Sequence, residues 1–220
     1  MDVLVAHDKE RLAEEGYRRG YYHQGHERCC SQCVVAAVME TCGFMDLGVF
    51  QASTALAGGG AIFGDSGCGA YTGGLLILGL LKGRSLDNFV VEEKNRARCF
   101  EVGRALHTRF VEEYGTVICR DIQTKVFGRP FWAVDPDEYR KADALGIHSN
   151  VGAHVVGEAA RWTIETIFEA SLLGELNTLR RTSGYVAVPS FGQSPVQTKR
   201  EICTFERSHS NAECRQSMQS

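Results

Sequence analysis

Cysteine is the residue type whose number and spacing in this chain most directly indicate chemistry. The 220 residues include nine cysteines, an odd count that argues against a fully paired secreted framework. They stand at positions 29, 30, 33, 42, 68, 99, 119, 203 and 214. In a reducing compartment such cysteines are more often metal ligands, redox thiols or buried apolar side chains than disulfides. Cysteine chemistry is therefore the main indication of function.

Cys68 lies in the most distinctive stretch of the chain, GGGAIFGDSGCGAYTGGLLILGLLK at 58–82. Glycines at 58–60, 64 and 67 permit positive φ and let backbone N–H groups approach a ligand closely. The apolar segment that follows predicts a buried helix, with the thiol near its N-terminus. Unpaired N–H groups and the helix dipole at that end favour a thiolate or an anionic sulfur-rich cluster. The alternative is a packing site where the glycines permit close approach of helices.

A second candidate group contains Cys29, Cys30 and Cys33, of which the last two form a CxxC. Positions i and i+3 of a helix share a face, so one metal could contact both thiols. A thioredoxin-like dithiol would instead require a βαβ pattern, which the sequence lacks. Burial of the thiols as small hydrophobic groups is the alternative. Cys119, taken alone after a helix, is interpreted as structural.

Charge and hydropathy argue against several other classes of protein. The net charge of −3 gives no support for a nucleic-acid surface. Lys and Arg are scattered, so a membrane-surface patch is not expected either. The longest apolar run, 75–81, is too short to span a bilayer. The N-terminal segment lacks the pattern of a secretory signal, so we expect a cytoplasmic location.

Hydrophobic periodicity predicts an all-α fold, a multi-helix domain over 1–182. Helices are predicted over 8–24, from the CxxC to a cap at Gly43, and over 45–56, 70–81, 88–114 and 154–176, with a short one near Cys119. The segment 127–141 is predicted to be a loop, with Asp135, Asp137 and Glu138 as helix-capping residues. Two β-prone runs in the arm 183–220 indicate a small hairpin or an extended tail.

Three cysteine-containing stretches together resemble a known family, the redox-active proteins named for the motif C_GCAxxG_C_C. The stretches are CSQCVVAA at 30–37, GCGAYTGG at 67–74 and GTVICRDI at 115–122. The resemblance extends over about residues 10 to 170. It implies that Cys30, Cys68 and Cys119 are the family's cysteines.

The fourth family cysteine has no counterpart in this chain. The family pattern places it just ahead of a Val-Val-Gly helix. Here VVGEAARW at 155–162 follows SNVGAH, which contains no cysteine. The remaining ligand would then come from solvent, from another subunit, or from one of four residues: Cys33, Cys29, Cys99 or His154.

The same domain is similar to the non-haem part of split-Soret cytochromes, which are dimers with an iron–sulfur centre beside their haems. The similarity implies an iron–sulfur cluster of unspecified type and a homodimer. No haem is expected, because Cys33 is followed by Val34 and the attachment signature CxxCH is absent. Thiolates suit iron–sulfur clusters or zinc. Zinc is less favoured, since it commonly uses paired CxxC or Cys/His units and only one CxxC is present.

We therefore expect an iron–sulfur redox protein with Cys30, Cys33, Cys68 and Cys119 as metal ligands. It would transfer electrons, sense redox state or act as an oxidoreductase on an unidentified partner or substrate. Two different functions stay open. One is that of a metal-free dithiol enzyme that cycles Cys30 with Cys33 or with Cys68, and the other is that of a helical binding protein with structural zinc. Cys203 and Cys214 in the arm would form a second small site, a dimer contact or free thiols.

Overall fold

The computed structural model describes residues 3–87, 89 and 93–183. These residues form nine α-helices and two short 3-10 helices, Ala6–Asp8 and Thr54–Leu56. The α-helices are α1 (Lys9–His26), α2 (Cys30–Cys42), α3 (Leu47–Ala52), α4 (Gly69–Lys82), α5 (Glu93–Tyr114), α6 (Cys119–Phe127), α7 (Pro136–Ala144), α8 (Val151–Glu169) and α9 (Leu173–Thr182). The described part contains no β-strand, and a single antiparallel bridge joins Gly67 to Ile118. The predicted all-α fold is confirmed.

The core lies between α1, α2, α4, α5 and α8. Helix α1 packs along α8, and α2 packs against both α1 and α4. Fully buried side chains such as Met39, Ile77 and Ile164 fill the space between these helices. The α1–α8 crossing is close because Gly20 has no side chain: a Cβ there would lie 3.0 Å from the Val156 carbonyl oxygen. This packing fixes the N-termini of α2 and α4 relative to each other.

The helices with clear local signals begin and end close to their predicted bounds. Helix α2 ends at Gly43, whose φ of 75° is the left-handed cap that was expected. Helix α4 starts directly after Cys68, as the glycine loop and the apolar run predicted. The predicted third helix is shorter than expected: α3 covers six residues and is followed by the 3-10 turn Thr54–Leu56.

The prediction of one continuous helix over 154–176 is wrong. Helix α8 ends at Glu169, and Ser171 adopts a left-handed φ of 58° before α9 begins at Leu173. This turn redirects the chain so that Leu172 and Leu176, which are 2% and 0% exposed, enter the core. Burial of both side chains is the physical reason for the break.

The prediction of a loop throughout 127–141 is also wrong in its second half, which is part of α7. Asp135 caps this helix as predicted, since its Oδ1 accepts bonds from the N–H groups of Asp137 and Glu138 at 2.7 and 3.2 Å. Pro136 occupies the first helical position, where its missing N–H is not needed. Asp137 and Glu138 therefore take part in the cap as backbone donors.

Helix α5 begins at Glu93 in the described chain. Its residues Val102, Leu106 and Phe110 are buried, whereas Phe100 is 58% exposed. The predicted arm from 184 onward, with its hairpin and with Cys203 and Cys214, lies outside the described residues.

None of the described helices is both long and apolar enough to cross a membrane.

Candidate functional site

Cys30 is held at the start of α2 by a strained turn. Arg28 and Cys29 both adopt left-handed backbone conformations, with φ of 61° and 65°. Such conformations are costly for residues that carry a Cβ and persist where surrounding contacts enforce them. The Cys30 sulfur accepts a hydrogen bond from the Gly58 N–H at 3.4 Å. The glycine loop therefore supplies a backbone donor to this thiol.

Cys68 and Cys119 are brought together by backbone bonds between the glycine loop and the segment before α6. The Cys68 N–H donates to the Val117 carbonyl at 2.8 Å, and the Cys119 N–H donates to the Ser66 carbonyl at 3.0 Å. At Gly59 a Cβ would lie only 2.7 Å from the Cys119 Cβ. The absence of a side chain at that glycine lets the loop lie directly against the second cysteine.

The thiols of Cys68 and Cys119 line the same cavity and shift each other's pKa in opposite directions. The interaction with Cys119 lowers the pKa of Cys68 in spite of burial, and the N–H groups of Ala70 and Tyr71 lower it further. The interaction with Cys68, together with burial, raises the pKa of Cys119. The pair is thus suited to hold one thiolate and one thiol.

Gln123 is a polar neighbour of these thiols that the sequence did not reveal. Its Nε2 donates to the Cys119 sulfur at 3.5 Å, while its Oε1 accepts from the Phe131 N–H at 2.9 Å. The second bond fixes the orientation of the amide. Gln123 follows Cys119 by four residues on α6, so the i, i+4 spacing is the signal that would have indicated it.

Cys30, Cys68 and Cys119 line one cavity of about 330 Å³. Each stands at the beginning of a helix: Cys30 and Cys119 are the first residues of α2 and α6, and Cys68 is the N-cap of α4. Helix N-termini carry unpaired N–H groups and partial positive charge, which stabilise negatively charged sulfur. Burial acts in the other direction and raises the pKa of Cys30 to about 12. The fold thus places at one cavity the three cysteines that the family resemblance assigns.

Cys33, the fourth expected ligand, has a different environment. Its thiol donates to the Arg28 carbonyl at 2.7 Å, and the residue does not belong to the cavity lining. Burial raises its pKa. Cys29 does line the cavity, and its thiol donates to the Thr54 carbonyl at 3.7 Å. The turn that precedes α2 therefore separates the CxxC thiols into one that faces the cavity and one that is bonded to backbone.

Cys99 and His154, two further candidates for the remaining ligand, are not part of the cavity lining. Cys99 is half-buried on α5. His154 lies on α8, where its Nδ1 is 2.9 Å from the Tyr17 hydroxyl and the two rings meet edge to face. Neither residue lies with the three cysteines in this structure.

His148 is the histidine that does line the cavity, in the loop before α8. Its Nδ1 lies 2.8 Å from Asp143 Oδ1, and Asp143 also accepts a bond from Arg28 at 3.1 Å. Arg28 in turn donates to the Tyr139 hydroxyl at 2.8 Å. This network ties the strained turn before α2 to α7 and to the histidine.

The described cysteines are all free thiols, and no group of three or more His, Cys, Asp or Glu side chains in the described chain is arranged to hold a metal ion. Cys30, Cys68 and Cys119 nevertheless offer the sulfur ligands that a metal cluster, which is larger than a single ion, requires. They are soft sulfur ligands, and N–H groups lie beside them.

The model of one protein family matches residues 28–166, and its description is "Putative redox-active protein (C_GCAxxG_C_C)". No curated protein and no solved structure matches the chain. The family match covers more than half of the 220 residues and includes Cys30, Cys68 and Cys119. The chain therefore belongs to the C_GCAxxG_C_C family.

Proposed function

We propose that this protein is an iron–sulfur redox protein whose cluster is bound by Cys30, Cys68 and Cys119. One observation carries the proposal: three thiols, each at the N-terminus of a different helix, line the same cavity. A dithiol–disulfide cycle is complete with two cysteines and does not require a third. A cluster uses several thiolates and is stabilised by the positive ends of the helices that carry them.

Hydrogen-bond donors around the sulfurs support the same function. Cys30 accepts from the Gly58 N–H, and Cys119 accepts from the Gln123 side chain. Cys68 is the N-cap of α4, and the N–H groups of Ala70 and Tyr71 lower its pKa. Two of the three sulfurs therefore accept a hydrogen bond from an N–H group. Hydrogen bonds to sulfur, with burial, are the means by which a protein sets a cluster's potential.

When bound, an iron–sulfur cluster supplies one-electron transfer. Cys30, Cys68 and Cys119 would hold it as thiolates, and any further ligand would come from elsewhere. Cys33 would fill this position only after giving up its bond to the Arg28 carbonyl. The apolar walls of the cavity limit the access of water to the site. Because these features suit both electron transfer and catalysis, the proposal covers an electron carrier, a redox sensor and an oxidoreductase.

Structural zinc has less support than a cluster. A structural zinc ion needs four ligands around a single point. The described residues provide no such group. The thiolates of a cluster are distributed over more than one iron atom, so they would not all need to converge on one point.

A metal-free dithiol function is the second candidate, favoured by the opposite pKa shifts of Cys68 and Cys119, which line the same cavity. The Cys68 thiolate would attack a disulfide substrate, forming a mixed disulfide as the substrate S–S bond breaks. Cys119 would then attack Cys68, give its proton to the departing thiolate and close an internal disulfide. The substrate gains the two electrons that the pair loses. This function leaves the position of Cys30 unexplained, and so it ranks second.

Anaerobic purification followed by visible spectroscopy and assays of iron and acid-labile sulfide tests the proposal. We expect a coloured protein that contains both elements and that bleaches in Cys68→Ser. Cys42→Ser is the matched control, since Cys42 is equally buried but lies at the opposite end of α2. A colourless protein without iron after anaerobic reconstitution would contradict the cluster and leave the dithiol function.

Two further elements belong to this proposal, a homodimer and a cytoplasmic location. The homodimer rests on the similarity to split-Soret cytochromes and is tested by light scattering on the purified chain. The location is supported by the seven described cysteines, which are all unpaired. A reducing compartment is where such thiols persist.

A further inference from the structure

The cavity beside the three cysteines is large and mostly apolar. Side chains such as Ile62, Ile122, Phe127 and Val155 form much of its wall. Its volume is about 330 Å³, whereas an engineered cavity of about 150 Å³ already binds benzene. The space is therefore sufficient for a substituted six-membered ring or a molecule of similar size.

The charges at the cavity favour a neutral occupant. Arg28 is the only permanently charged residue among the described residues of the lining, and it is paired with Asp143 at 3.1 Å. A neutral ligand therefore meets no uncompensated charge on the wall. A charged ligand would lose its hydration against apolar side chains without gaining a partner, which is costly. Thiolates at the base of the cavity would in addition repel an anion.

His148 gives this apolar space a polar group of defined orientation. Its Nδ1 lies 2.8 Å from the Asp143 carboxylate, which can only accept a hydrogen bond when it is ionised. When the ring is neutral, Nδ1 therefore carries its proton and Nε2 is left as an acceptor. The ring is further held against Tyr139, with 5.5 Å between the ring centroids. In the described chain Nε2 has no hydrogen-bond partner.

We infer that the cavity binds a small, neutral, largely apolar molecule with one hydrogen-bond donor group, and that His148 Nε2 accepts from this group. A few polar groups in an otherwise apolar pocket are the usual means of orienting a ligand. The site is next to the thiols, so the bound molecule contacts the redox centre. That it is the substrate of that centre rests on the proposed function; the binding itself does not.

Fluorine NMR titration of the full chain tests the inference with four probes of similar size. Two are neutral, 4-fluorophenol and 4-fluorotoluene, and two are charged, 4-fluorobenzoate and 4-fluorobenzylammonium. We expect saturable binding of both neutral probes and at least tenfold weaker binding of the charged ones. The phenol should bind about fivefold to tenfold more tightly than the toluene, as expected for one additional hydrogen bond.

Two variants assign the binding to this site. His148→Phe removes the acceptor and should abolish the preference for the phenol while the toluene still binds. Ala133→Leu fills part of the cavity from a half-buried position in its wall and should weaken both neutral probes at least tenfold. Ala36→Leu, half-buried on α2 and outside the lining, is the matched control and should change neither affinity.

Four results would overturn the inference. They are the absence of saturable binding by neutral probes, equally tight binding of a charged probe, unchanged affinities in Ala133→Leu, and a phenol preference that survives His148→Phe. The outcome is separable from that of the proposed function. A protein without iron that binds the phenol through His148 refutes the cluster and keeps the cavity site. A brown protein that binds neither neutral probe keeps the cluster and refutes the cavity site.

Discussion

Cys68 and Cys119 lie on two segments that antiparallel backbone hydrogen bonds join directly at these residues: the Cys68 N–H donates to Val117 and the Cys119 N–H donates to Ser66. The glycine loop carries the first cysteine, and the turn before α6 carries the second. Burial alone would raise the pKa of both thiols, but the interaction between them lowers that of Cys68 and raises that of Cys119. We therefore expect the two cysteines to differ in reactivity although each is 6% exposed.

The first prediction concerns alkylation of these thiols in metal-free protein. Because its pKa is lowered, Cys68 should react with iodoacetamide about tenfold faster than Cys119 at pH 7, since the thiolate is the nucleophile. Its rate should also reach a plateau at lower pH. Mass spectrometry of quenched time points measures both sites in one sample. Equal rates, or faster labelling of Cys119, would show that the two thiols do not shift each other's pKa in this way.

The second prediction uses the close approach between α4 and the start of α2. A Cβ at Gly69 would overlap the Cys30 sulfur and lie 3.0 Å from the Ala57 Cα. Gly69→Ala should therefore displace Cys30, lower the iron content and cost about 1–3 kcal/mol of unfolding free energy. Iron assay and urea denaturation check the two effects.

Gly79→Ala on the same helix is the control for this variant. A Cβ at Gly79 meets no atom within 4 Å. The substitution should keep the iron content and stabilise the protein by up to about 1 kcal/mol through helix propensity. The account of the α2–α4 contact fails if both variants behave alike.

The third prediction separates the two thiols of the CxxC. Cys33 donates to the Arg28 carbonyl and does not line the cavity. A serine hydroxyl can make the same bond, so Cys33→Ser should retain iron and sulfide at the wild-type level. Loss of the cluster in this variant would mean that Cys33 is a ligand after all and that the turn at Arg28 rearranges when the cluster binds.

The fourth prediction concerns a half-buried carboxylate away from the cavity, Glu40 on α2. Burial raises its pKa, but hydrogen bonds from His23 and Arg19 at 3.0 and 3.1 Å outweigh burial, and the net pKa is lowered. A carboxylate with a lowered pKa in the folded state stabilises the fold above its ordinary pKa. That contribution is lost as pH falls through the folded value.

Glu40→Gln should therefore destabilise the protein by about 1–3 kcal/mol at pH 7. The difference from wild type should shrink as pH falls below the ordinary value of 4.5. Urea denaturation at a series of pH values measures it. A difference that stays constant down to pH 3 would show that the charge on Glu40 is not what stabilises the fold.

Local signals in the sequence were sufficient for much of the fold, and the family resemblance pointed to three cysteines that line one cavity. Gly43 ends α2 because a left-handed cap favours glycine, and Cys68 precedes α4 because the glycine loop gives way to an apolar run. The family motif identified Cys30, Cys68 and Cys119, which the fold brings to one cavity. In each case the determining residues are adjacent in sequence to the feature they determine.

Features that depend on tertiary contacts could not be predicted in this way. Ser171 adopts a left-handed conformation without being glycine, because the turn lets Leu172 enter the core. Helical spacing alone placed Cys33 beside Cys30, but the turn at Arg28 presents a carbonyl to one of these thiols. His148 lines the cavity through contacts with α7, which no local pattern indicates.

The most direct test of the central claim is the iron and acid-labile sulfide content of anaerobically purified Cys30→Ser relative to wild type. Cys30 is the thiol that distinguishes a cluster from a two-cysteine site. We predict that the wild type contains both elements and that Cys30→Ser loses most of them, while Cys42→Ser does not. Unchanged content in Cys30→Ser would contradict the three-thiol site, and an iron-free wild type would contradict the cluster itself.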